Sequence, residues 1–80
     1  MCDYKITSYV KVNNNNYLVD TCWVPEGCFE TMVFPANENN QVTSFLELYA
    51  EQYLTWSSAF EGHCHVIDPT EIEKLVQGYL

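Results

Sequence analysis

The residues best equipped for chemistry lie in one short run, Gly62-His63-Cys64-His65, with further cysteines at Cys2, Cys22 and Cys28. A tetrahedral zinc site takes its ligands from Cys and His. No C-x-x-C or H-x-x-x-H spacing is present, and on a helix His63 and His65 project about 200° apart, so the pair does not chelate one ion. A site built on Cys22, Cys28 and His63 would have to be assembled by the fold; a small structural or metal-binding module of that kind is the alternative reading. A Cys64 nucleophile beside His63 or His65 would need a positive neighbourhood to stabilise its thiolate, and the chain around it is acidic. No phosphate-binding glycine loop, nucleophile elbow or EF-hand spacing occurs. The carboxylates Glu71 and Glu73 suit a helix start better than an acid–base pair. No catalytic residue and no cofactor is expected, and His63 reads as a structural histidine.

Charge is the stronger signal. Against eleven acidic residues stand Lys5, Lys11 and Lys74 and no arginine, a formal net charge of -8. Phosphate backbones are held by Lys and Arg, so direct nucleic-acid binding is not expected, and anionic membranes are disfavoured likewise. Basic proteins, including those that hold nucleic acid themselves, are the natural partners. There is no apolar run of about 18 residues. The opening Met1-Cys2-Asp3-Tyr4-Lys5 lacks the basic and apolar regions of a signal peptide, which predicts a cytoplasmic location and reduced thiols.

The elements that must position these residues form a single α+β domain over residues 1–80. With 48% hydrophobic and 15% aromatic residues the chain can bury a core. A core this small gains from a partner, a second copy of the chain included. Alternation places Tyr4, Ile6, Val10 and Val12 on one side of a first strand, with Lys5, Thr7, Tyr9 and Lys11 on the other. Asn13 to Asn16 make a turn. Tyr17 to Val24 form a second strand closed by Pro25-Glu26-Gly27, and Phe29 to Phe34 a third, stopped by Pro35. After a polar loop over 36–42, Thr43 to Leu54 admits a helical start at Ser44 and Glu47 or a strand; a turn followed by a fourth strand near Leu48 to Leu54 is expected. Thr55 then caps a helix whose buried face is Trp56, Ala59, Phe60, His63 and Ile67. Gly62 inside it implies close backbone packing. Asp68-Pro69-Thr70-Glu71 starts a second helix, with Asp68 as cap and Glu71 reaching back, and Ile72, Leu75, Val76 and Tyr79 as its apolar stripe. The expected architecture is an antiparallel meander of three to four strands with both helices on one face.

Tyr9, Tyr17, Phe29, Tyr49 and Tyr53 exceed what so small a core can centre, so part of this set is expected at an interaction surface. With the acidic excess, the candidate partner-binding residues are Glu26, Glu30, Glu38, Glu47, Tyr49, Glu51, Tyr53 and Glu61. Glu30 could instead pair with Lys5 or Lys11 across the sheet.

Glu30-Thr31-Met32-Val33-Phe34, Tyr53-Leu54-Thr55, Ala59 and Gly62-His63 resemble a pattern of short phage and prophage proteins of unassigned function: an E-T-x-V-F strand, Y-x-T, then A-x-x-G-H in a helix. The resemblance covers about residues 28–67. Ser57-Ser58 stand where acidic helix-starting residues are usual. It implies a phage-type origin, the same strand–helix order and Tyr53 in a strand, and transfers no catalytic role. Small acidic phage proteins often inhibit host defence, anti-CRISPR proteins among them. The corresponding expectation is an inhibitor that occupies the basic channel of a host nuclease or defence complex.

Overall fold

The computed structural model describes residues 4–79, and Cys2 and the chain ends lie outside the described residues. Four strands, β1 (Lys5–Val12), β2 (Asn15–Val24), β3 (Cys28–Ala36) and β4 (Tyr49–Tyr53), precede two helices, α1 (Trp56–Val66) and α2 (Ile72–Tyr79). The strands form one antiparallel sheet in sequence order. The α+β meander with two C-terminal helices is therefore observed.

The connections explain the order. Asn13, at φ 56°, turns β1 tightly into β2, a left-handed geometry that asparagine tolerates. Gly27, at φ 89°, does the same between β2 and β3 and donates its amide to the Val24 carbonyl. Pro35 does not stop β3, which continues to Ala36. Its nitrogen points toward the side where β4 has already ended, as the Thr43 amide bonding to the Pro35 carbonyl shows. No ladder bond to β2 is lost, which is where a proline can sit within a sheet. Of the two readings of residues 43–54, the strand holds, as β4; Ser44 caps no helix and accepts the Leu46 amide within an irregular turn.

The register carries four rows across the inner, helix-covered face. They run Trp23–Phe29–Tyr53, Ile6–Thr21–Thr31–Glu51, Ser8–Val19–Val33–Tyr49 and Val10–Tyr17–Pro35. Tyr17, Val19 and Val33 meet Val66 and Ile72 in the core, with Leu75 and Val76 packed against it. At the far end Tyr4, Phe29 and Trp56 stack with centroids 5.2–5.7 Å apart.

Thr55 caps α1 as expected, its hydroxyl accepting the Ser58 amide. The buried face of α1 differs from the expected one. Ala59, His63 and Val66 are buried, whereas Phe60 is half exposed. Phe60 lies about 100° round the helix from Ala59, on its flank. The Asp68 carboxylate caps the next turn by accepting the Thr70 amide and hydroxyl, and these bonds hold its carboxyl below the usual range. Glu71 does not reach back; it pairs with Lys74 and His65 at 3.5 and 3.6 Å, and α2 begins only at Ile72.

Candidate functional site

In-phase hydroxyls on three strands meet one histidine. Ser8, Thr21 and Thr31 occupy inward positions of β1, β2 and β3, between apolar neighbours. His63 comes down on them from α1 and is 2% exposed. Its Nε2 is 2.9 Å from the Ser8 Oγ and its Nδ1 2.7 Å from the Thr21 Oγ1, which is 2.6 Å from the Thr31 Oγ1. Thr31 hydrogen-bonds Tyr53 on β4, and Tyr53 and Tyr49 both donate to the same Glu51 carboxylate oxygen, at 3.1 and 2.6 Å. The chain of contacts thus crosses all four strands, and no buried side-chain polar atom among the described residues lacks a partner.

Each hydroxyl in this chain has one hydrogen to donate. Burial and the Glu51 carboxylate push the Tyr53 phenol up to about 12, while a hydrogen bond from Thr31 pulls it the other way. Burial and Glu51 likewise raise Tyr49. Both phenols are therefore donors to Glu51. Between Thr21 and Thr31 either hydroxyl can donate, and the two His63 nitrogens take donor and acceptor roles according to the tautomer. Burial lowers the His63 pKa, opposed by the Asp20 charge across the sheet. A neutral ring satisfies both of its nitrogens in this row, one as donor and one as acceptor.

His63 is thus a fully buried structural histidine bound to two hydroxyls, rather than a partly buried one bound to a carbonyl or carboxylate. Ser8 and His63 have the contact of a nucleophile and base. With the ring 2% exposed, the contact ties β1 to α1. Cys22 and Cys28 are on the opposite face of the sheet, since Cys22 pairs with Glu30 and Cys28 with Val24. The sheet separates both from His63, and no group of three or more metal-ligating residues is found among the described residues. The Cys22/Cys28/His63 metal reading has no structural support.

Gly62 is the second surprise of α1. A Cβ built there would fall on the Tyr53 phenol ring, so the close packing implied by this glycine is an approach of helix backbone to β4. Thr31, Tyr53, Thr55, Ala59, Gly62 and His63 gather here, Thr55 as cap, Ala59 and His63 buried and Gly62 against Tyr53, whereas Glu30 and Phe34 face the open side of the sheet.

The partner-binding candidates divide. Tyr49, Glu51 and Tyr53 form one hydrogen-bonded group on β4, an edge strand. Glu61 joins that flank, because it lies about 100° beyond Gly62 on the side away from His63; Glu47 lies two residues before the start of β4. Glu26 sits in the β2–β3 turn and Glu38 in the loop after β3. Glu30 faces the open side of the sheet and accepts from Gln52 at 3.4 Å; Lys5 pairs with Asp20 instead. Tyr17, Phe29, Tyr49 and Tyr53 are all on the helix-covered side, and Tyr9 alone of that aromatic set is on the open face. Sequence reasoning missed Glu73, which accepts from Asn13, Asn15 and Tyr17 and locks α2 onto the first hairpin. Those bonds hold its carboxyl below the usual range. Burial and Glu73 push Tyr17 up to about 12.

No helix among the described residues is long and apolar enough to cross a membrane. Comparison with protein-family models, with curated proteins and with solved structures finds no match for this chain.

Proposed function

We propose that the protein is an acidic binding module that occupies a basic surface of a nucleic-acid-handling protein, and that its β4–α1 flank is the contact surface. One observation carries this reading. On the open face of the sheet, two lysines (Lys5, Lys11) balance two carboxylates (Asp20, Glu30); elsewhere among the described residues eight carboxylates stand against Lys74 alone. The excess therefore lies off the open face, and Glu26, Glu38, Glu47 and Glu61 have no ion-pair partner among the described residues. Carboxylates held apart on a rigid edge stand in for phosphates against a Lys/Arg-lined channel. The two phenols fix the Glu51 carboxylate in one orientation, so that little side-chain freedom remains to be lost on binding.

Size, acidity and the E-T-x-V-F … Y-x-T … A-x-x-G-H resemblance favour a phage-type inhibitor of a host nuclease or defence complex, of the anti-CRISPR kind, acting in the host cytoplasm. Affinity capture with the wild-type chain and with a Glu47→Lys/Glu51→Lys/Glu61→Lys variant tests it. A basic nucleic-acid-binding protein retained at about 50 mM salt, released at about 500 mM and not retained by the variant supports the reading. Equal retention by both proteins removes the β4–α1 flank from it.

A further inference from the structure

The open face of the sheet does not share the character of the rest of the surface. It places Leu18, Met32 and Phe34 across its centre, half-buried only by their neighbours, and no helix covers it. Phe45 folds onto Phe34 with ring centroids 6.0 Å apart yet remains 80% exposed, and Tyr9 on β1 is 52% exposed. This face is also where the charge cancels, Lys5 and Lys11 against Asp20 and Glu30.

We infer that this face is a self-association surface, whose occupant is a second copy of the chain packed sheet against sheet. The charge pattern selects that occupant. A strongly basic partner would meet two lysines here and gain nothing from the acidic excess, which lies elsewhere. A second copy carries the same net charge of -8 and is repelled wherever carboxylates dominate. Only where lysines and carboxylates are equal does the local repulsion vanish and apolar burial decide. Stacked sheets stand about 10 Å apart, beyond a screening length of about 8 Å. Aligned packing of two twisted sheets buries the central apolar row of each against the other. The pairing leaves both β4–α1 flanks outward, so it is independent of the proposed function and would present two acidic edges.

Sedimentation velocity on the wild-type chain from about 10 μM to 1 mM tests this directly. The expected result is a reversible shift from the 9.3 kDa monomer to the dimer. Met32→Glu places a charge at the centre of the face and is expected to weaken association by about a hundredfold or more, while Glu61→Gln on the other side leaves it unchanged. A second measurement does not depend on that variant folding. Alkylation of Cys28, on the open face, is expected to slow as the wild-type concentration rises, while that of the exposed Cys64 does not. A monomer throughout the range, a dimer untouched by a folded Met32→Glu variant, or Cys28 alkylation independent of concentration each overturns the inference. So does a monomer in which Met32→Glu abolishes capture of a basic protein, since the face then belongs to that partner.

Discussion

The Nδ1 atom of His63 on α1 lies 2.7 Å from the Thr21 hydroxyl on β2, and this contact makes the centre of the fold polar. An 80-residue domain would gain more stability from an apolar layer at the same place. Instead the layer specifies one register, because moving any strand by a single residue would remove its hydroxyl from the row.

Thr21→Val removes the hydroxyl that partners both His63 Nδ1 and Thr31, with little change of shape. An unsatisfied buried polar group costs about 1–3 kcal/mol. The expected outcome is a loss in that range by urea denaturation.

The relay predicts how stability follows pH. The folded state holds His63 neutral, its pKa lowered by burial, so the unfolded chain binds the proton more readily. Stability is then fully present above the unfolded histidine pKa of about 6.5 and declines as pH falls from there toward the folded value. Melting temperatures between pH 7.5 and 5.5, approximately the histidine range, are expected to fall in the wild type and to flatten in His63→Gln. Nitrogen chemical shifts of the ring are expected to show a single neutral tautomer, one nitrogen protonated and the other bare, at neutral pH.

Gly62 and Tyr53 yield a sign reversal. In the wild-type background Gly62→Ala drives its new methyl onto the Tyr53 ring, and overpacking costs about 1–3 kcal/mol, more than the helix gains from alanine. In a Tyr53→Leu background the obstacle is gone, and the same substitution is expected to stabilise by up to about 1 kcal/mol. Thermal melts of the four chains in this cycle check the coupling.

Glu73→Ala is expected to lower the melting temperature and to speed amide exchange in the Asn13–Asn15 turn, which loses the carboxylate accepting from Asn13, Asn15 and Tyr17. Because the Glu73 carboxyl sits below its usual range in the folded state, this contribution is present above about pH 4.5 and is lost as pH falls through the folded value.

Much of the fold can be read from local chemistry. Alternation in Ile6, Val10 and Val12, the asparagine turn, the Thr55 cap and the Asp68 turn are local effects, decided within a few residues. The face of α1 was harder, because Phe60 is as apolar as its buried neighbours and only the placement of Gly62 against Tyr53 turns it outward. The relay was legible in part. Ser8, Thr21 and Thr31 all stand in buried phase among apolar residues, a row of hydroxyls that needs a polar partner, and His63 is the histidine on the buried side of the next helix. What no local pattern shows is that the strands bring those three hydroxyls under one ring. Nor does local sequence show that Glu73, which reads as a dipole-favouring helix-start residue, reaches back more than fifty residues to the first hairpin. The separation of Cys22 and Cys28 from His63 follows from strand phase alone: Cys22 is one residue from inward-facing Thr21, and Cys28 shares the phase of Glu30.

The central claim is that the acidic β4–α1 flank displaces nucleic acid from a basic protein. Its most direct test is a fluorescence-anisotropy competition, in which the captured partner holds a labelled oligonucleotide and the chain is titrated in. The account predicts displacement that weakens steeply as salt rises and is lost in the Glu47→Lys/Glu51→Lys/Glu61→Lys variant while the fold is retained. Failure to displace at low ionic strength, or equal displacement by that variant, would contradict it.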